Sequence, residues 1–427
     1  MKKFVLFITG FALCLGMAAC SNSKNIQCTL KGEVIDRPND NTLLLSKIHE
    51  DSRVTDVVHI PIHDGKFEYV LNCSHEEKYE LKFLAEYQSA SWRPIYFFSE
   101  KGTVHFTFYP EDEHEKNRIE GGALNTEYYT LEKRIMEILN PTFNALDAEQ
   151  DRLHKEGKYS SAEAEKIYEK LNTADDNERS ELYKKLEKLR EGRKDITPEA
   201  QVVTKKYEDA LQLREDMRLQ YAKEHPGIVG YSIIVDVAWL AAHSFSTWWF
   251  SPDITPAVEL YNTVYAQKYP KHPYTEQMKI LINSADIKVG GRYIDFEAPD
   301  LQGNNVKLSE QIQGKIAVIH LWASWCGPCR QNGKQLIPVY EAYKDKGFTV
   351  VGIARERKNI DAMKTAIEKD KYPWLNLVEL NDKAQIWTKY GLSNAAGGEF
   401  LVDENGVILA ISPTAKEVEE ILQERLK

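Results

Sequence analysis

Residues 320–333 read HLWASWCGPCRQNG and place Cys326 and Cys329 on either side of Gly327-Pro328. A C-x-x-C pair can carry electrons, contribute to a metal site, or close a loop. Where such a pair opens a helix, the three-residue spacing puts both sulfurs on one side of the first turn, within reach of a disulfide. The N–H groups of that turn have no partner inside the helix, and the helix dipole favours negative charge there. The Cys326 thiolate is then the stabilised one, which makes Cys326 the nucleophile. Cys329, one turn in, is expected to be the less exposed thiol and to resolve the mixed disulfide that Cys326 forms. Pro328 suits the opening turn, because its fixed φ is helical and no N–H partner is needed there. Trp325 is expected to shield one flank of Cys326. A structural zinc site takes four ligands, and the pair has no second C-x-x-C and no histidine pair beside it. No metal site is assigned, and a redox dithiol and a purely structural disulfide remain as readings.

The surrounding elements must place the pair. KIAVIHL, just upstream, reads as a buried strand, so WCGPC falls at a strand-to-helix junction. GFTVVGIAR is a second strand, and GEFLVDENGVILAI is a hairpin about ENG. Helical patterns at QNGKQLIPVYEAYKDK, IDAMKTAIEKD and TAKEVEEILQERL fill the gaps. Alternating strands and helices imply parallel pairing in an α/β sheet, and APDLQGNNVKLSEQIQGK supplies a leading hairpin or extended arm. In this setting WASWCGPCR resembles the active site of thioredoxin-fold proteins. APDLQGNNVKLSEQIQGK, with YGL and FLVDENGVIL further on, resembles their TlpA/ResA-like branch, over residues 288–427. The resemblance implies a thiol-disulfide oxidoreductase in which the Cys326–Cys329 disulfide is the redox group. No flavin or nicotinamide motif is present. The Gly-Pro dipeptide is similar to that of reducing thioredoxins, at about −270 mV, rather than of oxidising relatives at about −120 mV. That implies a reductase or isomerase of protein disulfides, recharged by a reduced, membrane-linked electron donor. A peroxidase could share the fold, but no Pro-x-x-x-Thr-x-x-Cys segment is present.

Three positions depart from the family pattern. His320 stands six residues before Cys326, where relatives often carry a buried acid that handles the proton of the second cysteine. It can do that work itself or be a neutral core histidine. Asn332 and Lys334 replace the usual E-x-P after Cys329. In LSNAAGGEF the expected cis-proline is missing, and Gly397 or Ala396 stands in its place. A cis bond without proline costs about 2.5–4 kcal/mol, so a trans peptide is expected. Gly397 and Gly398 are expected to supply backbone angles closed to other residues. Slower reduction of general substrates and readier metal uptake by the dithiol follow, and proline restored at Gly397 or Ala396 should reverse them.

The rest of the chain sets the compartment and the company. Lys2-Lys3, an apolar run from Phe4 to Leu15 and Ala18-Ala19 have the layout of a signal peptide over residues 1–19. MAAC, ending at Cys20, resembles a bacterial lipobox, which implies lipidation of Cys20 and a tether over 20–26. Ser21 resembles an outer-membrane sorting signal. The expected location is therefore the periplasm-facing surface of a Gram-negative outer membrane. Residues 27–118 alternate as strands, with Asp64-Gly65 as a hairpin turn. They read as a small antiparallel, sandwich-like β domain, similar to the N-terminal domain of unknown function found before thioredoxin domains in bacterial lipoproteins. By strand parity Cys28 and Cys73 both face its core, as a disulfide or as two buried thiols. Residues 122–285 read as a helical domain of amphipathic helices. The charged run 147–194 is read as a helical hairpin, and the apolar run 228–250 as a buried helix. The net charge of −10 argues against nucleic acid as a partner. The expected partners are protein thiols and disulfides, the electron donor, and the bilayer. A binding or chaperone-like lipoprotein on a vestigial thioredoxin scaffold is the competing function, since fold does not fix function.

Overall fold

The computed structural model describes residues 25–91, 93–243, 250–392 and 395–426. The expected signal peptide and the expected lipidation site Cys20 lie outside the described residues.

The alternation of CTLKGEV forms β1 (Ile26–Val34), which buries Ile26, Cys28, Leu30 and Val34. It is followed by β2 (Thr42–Lys47), β3 (Val58–Pro61), β4 (Lys66–Cys73), β5 (Lys78–Phe83), α1 (Leu84–Gln88), β6 (Ile95–Phe98), β7 (Gly102–Phe108) and β8 (Arg118–Glu120). Two four-stranded sheets result, ordered β4-β1-β7-β8 and β3-β2-β5-β6. Leu30, Phe67, Leu81, Phe97 and Phe106 share one core. The expectation of wholly antiparallel strands is corrected. β1 and β7 pair in parallel, from Cys28↔Gly102 to Val34↔Phe108. The intervening chain builds the other sheet and returns on the same heading. Cys28 and Cys73 are both free thiols. They share a sheet face, as parity required, but Cys73 stands opposite Ile26 and Cys28 opposite Leu71. That diagonal offset leaves them unbonded. Burial pushes the Cys28 thiol up to about 11, as for an inert apolar side chain.

The helical region runs α2 (Ala123–Lys155), α3 (Ala162–Leu171), α4 (Asp176–Glu191), α5 (Pro198–Glu224) and α6 (Ile228–Ala242). It continues through α7 (Thr255–Leu260), a π turn at Tyr261–Tyr265, α8 (Ala266–Lys268) and α9 (Pro273–Ser284). α3 and α4 lie on each other through Ala164, Ile167, Leu182 and Leu186, the hairpin expected of the charged run. α6 is the buried helix, with Ile233, Ile234, Val235 and Val237 inaccessible to solvent. Each such side chain contributes about 1.5–3 kcal/mol. No described helix is long and apolar enough to cross a membrane.

α6 carries one acid, Asp236, and it ties the regions together. Lys78 of β5 reaches it at 2.7 Å, Arg218 of α5 at 2.8 Å and His49 at 3.1 Å. Burial alone would raise the Asp236 carboxyl, but these partners outweigh it and hold it well below the usual carboxylate range.

At the end of α6, burial lowers the His243 imidazole from 6.5 to about 4, against the pull of the Trp239 carbonyl at 2.7 Å from its Nδ1. The unfolded chain therefore takes up this proton at a higher pH than the folded one. The contribution is full above pH 6.5 and is lost as pH falls toward 4, by about 3 kcal/mol in all. Urea unfolding at pH 7 and at pH 4.5 should show this loss, and His243→Gln should remove that part of it. Equal pH dependence in both proteins would refute the assignment.

The C-terminal region holds β9 (Glu297–Pro299), β10 (Asn305–Lys307), α10 (Leu308–Ile312), β11 (Ile316–Trp322), α11 (Gly327–Tyr343), β12 (Phe348–Glu356), α12 (Asp361–Asp370), β13 (Leu375–Leu380), α13 (Ile386–Lys389), β14 (Gly398–Val402), β15 (Ile408–Ile411) and α14 (Ala415–Arg425). Its five-stranded sheet is ordered β13-β12-β11-β14-β15. β11, β12 and β13 are parallel, and β14 and β15 antiparallel. Along β11, Ile316, Val318 and Trp322 face the core shared with α11 and α14. Ala317, Ile319 and Leu321 face the opposite core.

Candidate active site

β11 ends at Trp322 and α11 begins at Gly327, so the Ala323–Cys326 turn carries the pair out of the sheet. Glu356, at the end of β12, fixes that turn. It accepts from the Ser324 N–H at 2.7 Å and from the Ser324 hydroxyl at 2.8 Å. Burial pushes the Glu356 carboxyl up, and the two Ser324 bonds pull it back. Arg330 ties the first turn of α11 to Asp370 through two bonds, of 2.6 and 3.0 Å.

Cys326 is the N-cap of α11, and its sulfur accepts from the Cys329 N–H at 3.2 Å. Pro328 lies in the opening turn. Cys326 and Cys329 are joined as a disulfide. One expectation is corrected. Cys326 is 5% exposed and Cys329 8%, so Cys329 is not the more hidden thiol. Exposure does not separate the two sulfurs; position at the helix start does. Trp325 is exposed on the outer flank, and the guanidinium of Arg53, from the loop after β2, lies 5.2 Å from its ring centre.

His320 lies on the α11 face of β11 by parity with Val318 and Trp322, and it is fully buried. The strand register sets Glu399 of β14 directly opposite, so both side chains point under α11. His320 Nδ1 is 3.2 Å from Glu399 Oε1, at ion-pair distance but not aligned as a hydrogen bond. Asn332, one turn beyond Cys329, donates to the same oxygen at 3.3 Å. The residue standing where relatives have their downstream acid thus leans on an acid from the neighbouring strand. Sequence reasoning singles out the glycines before Glu399 and assigns Glu399 itself no role. The available signal was a carboxylate in the otherwise apolar strand GEFLV.

Gly397 abuts the disulfide. A Cβ built there would lie 2.1 Å from the Leu321 carbonyl oxygen and 3.0 Å from Cys329 Sγ. Neither Gly397 nor Gly398 has positive φ, and no described peptide bond is cis. Glycine is required here by close approach and not, as expected, by backbone angle. The same contact excludes proline at Gly397, which corrects the expectation that it could be restored there. Part of the loop, Ser393-Asn394, lies outside the described residues.

The structure therefore brings together Cys326, Cys329, Pro328, His320 and Gly397, with Trp325 on the rim. Cys28 belongs to the β core and Cys73 to its half-buried margin, both far from this site in the fold. No group of three or more His, Cys, Asp or Glu residues suited to a metal occurs among the described residues.

The AhpC/TSA family model matches residues 289–411. The chain is 25% identical over 142 residues to the thiol-disulfide oxidoreductase ResA of Bacillus thuringiensis, covering 33% of this chain and 78% of that protein. It is 30% identical over 117 residues to the thiol:disulfide interchange protein DsbE of Allochromatium vinosum, covering 27% and 60%. Among solved structures, the thioredoxin domain of a thiol-disulfide oxidoreductase from Bacteroides vulgatus aligns with 27% identity, over 33% of this chain and 99% of that one, at a TM-score of 0.30. Over this region the chain is thus similar to the AhpC/TSA family and to thiol-disulfide oxidoreductases of the ResA and DsbE kinds.

Proposed function

We propose that the protein is a membrane-anchored, extracytoplasmic thiol-disulfide oxidoreductase that reduces or isomerises protein disulfides through Cys326 and Cys329. The observation that carries this reading is the helix N-cap position of Cys326, with the Cys329 N–H donated to its sulfur. In the dithiol state that N–H and the helix dipole stabilise the Cys326 thiolate. The thiolate attacks one sulfur of a client disulfide. The client S–S bond breaks, one client thiolate leaves and takes a proton, and a mixed disulfide forms. Cys329 then loses its proton and attacks Cys326 Sγ. The second client thiolate leaves, and two electrons have passed from the dithiol to the client. A reduced dithiol partner at the membrane restores the pair. The test is catalytic turnover of a protein disulfide by the full mature chain with a chemical dithiol as donor. A pair that resists reduction, with no turnover, would leave the scaffold-only reading standing.

We infer that Glu399 and His320, paired under α11 with Asn332 on the same carboxylate, take the Cys329 proton. Glu399→Gln keeps the bond from Asn332 but removes the charge. Single-turnover resolution of the mixed disulfide should slow by about 10²-fold, the scale of general-base catalysis. Alkylation of Cys326 in the dithiol form should be unchanged. Equal slowing of both would show a structural fault instead.

Anchoring rests on Cys20. Two or three acyl chains hold a protein firmly where one does not. Cys20→Ala should move the protein from the membrane to the soluble extracytoplasmic fraction, and retention on the membrane would place the anchor elsewhere.

A further inference from the structure

The residue next to the redox sulfur is held from two regions of the chain at once. Cys326 is 5% exposed, while Trp325 beside it is 46% exposed, so the indole is the open surface next to a nearly buried sulfur. The β region reaches that indole. Arg53, in the loop between β2 and β3, sets its guanidinium 5.2 Å from the ring centre, within the range of a cation–π contact.

Arg53 is itself fixed. Its Nε donates to Asp51 Oδ1 at 2.9 Å and its Nη2 to Asp51 Oδ2 at 2.6 Å. The Asp51 carbonyl accepts from the N–H groups of Val54 and Thr55, at 3.0 Å each, which makes the loop a compact turn. The Ser52 hydroxyl donates to the Tyr87 hydroxyl of α1 at 2.8 Å. The Asp51 carboxylate also crosses to the C-terminal region, where it accepts from Arg355 Nη1 at 2.7 Å. Both side chains are buried, at 4% and 2% exposed. Arg355 of β12 is followed by Glu356, which holds Ser324, the residue before Trp325. These contacts close a ring. It runs from Asp51 to Arg355, along the chain to Glu356, across to Ser324, on to Trp325, over to Arg53 and back to Asp51. An indole on an isolated turn would sample several rotamers. Here each departure parts it from a guanidinium that a buried ion pair holds in place.

We propose that Arg53 is a positioning residue of the redox site: it holds the Trp325 indole as a fixed wall beside Cys326, against which the disulfide-bearing segment of the client is received. The proposal rests on the oxidoreductase reading and extends it, because it gives the β region a part in client binding. Arg53 acts through Trp325 and makes no bond of its own to the client. An indole ordered in advance spares the complex the cost of ordering it on binding. The effect therefore falls on KM more than on kcat. Asp51 offsets the charge of Arg53, so the reactivity of the Cys326 thiol does not depend on that charge.

The test follows reduction of a short synthetic peptide closed by one disulfide, by the full mature chain with a chemical dithiol as donor. Arg53→Ala should lower kcat/KM about two- to fivefold, the scale of one cation–π contact at a half-exposed site, and the loss should lie in KM. Arg53→Lys keeps a cation without the planar fork and should fall between. A double-mutant cycle decides whether the effect passes through the indole: in a Trp325→Ala background, Arg53→Ala should cost nothing further. The same loss with and without the indole overturns the proposal. So does a wild-type kcat/KM in Arg53→Ala. A shifted pH profile of Cys326 alkylation in Arg53→Ala overturns it too, since Arg53 would then act by its charge. If Arg53→Ala does not fold, Arg53→Lys takes its place in the cycle. Binding of the peptide, with its cysteines replaced by serine, to the full chain carrying Cys326→Ser and Cys329→Ser reads the wall without redox chemistry. Binding weakened there by Arg53→Ala, with no turnover by wild type, would sink the oxidoreductase reading and keep the positioning role. Turnover by wild type that Arg53→Ala leaves unchanged would do the reverse.

Discussion

Cys329→Ser should accumulate covalent mixed disulfides with client proteins, and Cys326→Ser should accumulate none. The two sulfurs are almost equally hidden, at 5% and 8%, so accessibility cannot produce this asymmetry. Electrostatics can. Cys326 caps α11 and receives the N–H of Cys329, whereas Cys329 lies inside the first turn. Only Cys326 has an unsatisfied helix N-terminus aimed at its sulfur, and a thiolate there is the stronger attacker at neutral pH. With Ser at 329 the mixed disulfide has no internal thiol to release it. With Ser at 326 the remaining thiol lacks its stabilising donors. Catalytic turnover should fall by about 10³-fold or more in each variant, because a pair acting as a unit fails when either member is lost. Non-reducing electrophoresis after acid quench separates them. Equal trapping by both variants, or by neither, would overturn the order.

Gly397→Ala should damage stability and turnover together. The added methyl would sit 2.1 Å from the Leu321 carbonyl oxygen and 3.0 Å from Cys329 Sγ. Leu321 belongs to β11, the middle strand of the sheet, which bonds to β12 on one side and β14 on the other. Its carbonyl cannot retreat without straining both ladders. Overpacking of this kind costs about 1–3 kcal/mol, occasionally more, and here the upper part of that range is expected. The displaced sulfur adds a second effect, a shift of Cys329 away from Cys326. Thermal melting should drop by several degrees and turnover by about tenfold or more. Gly397→Pro carries the same Cβ and should be at least as harmful. An alanine variant that melts and turns over like wild type would show that the loop yields freely.

What the sequence disclosed follows from the range of the forces involved. The strand before WCGPC, the helix that Cys326 opens and the hairpin about ENG are local patterns, and each is where the pattern puts it. The parity of Cys28 and Cys73 was legible, but their diagonal offset was not, because register between β1 and β4 depends on the whole sheet. The same limit hid the parallel pairing of β1 with β7. Glu399 could be seen as an odd charge in an apolar strand, yet its place opposite His320 needed the β11–β14 register. Arg53 gave no signal at all. It meets Trp325 across more than half of the chain, while its ion pair with Asp51 spans only two residues. Gly397 was singled out for the right neighbourhood and the wrong physics, since close approach to a sulfur cannot be read from a dihedral preference.

The position of β1 bears on how the chain folds. It is the first described strand, yet it lies inside its sheet, flanked by β4 on one side and β7 on the other. Its parallel neighbour begins only at Gly102. Loop closure must be achieved before such distant pairings return any free energy, and sheets of this kind form slowly. The β7 side of β1 therefore stays open until the chain as far as Phe108 is gathered in, even once β4 has paired on the other side. During that interval Cys28, inert once buried, sits on a strand with one edge open, and its partner on that edge, Gly102, has not arrived. The hazard for this protein lies in that waiting period: the chain that handles disulfides when folded has to pass through a state in which its own odd thiols are open to oxidation.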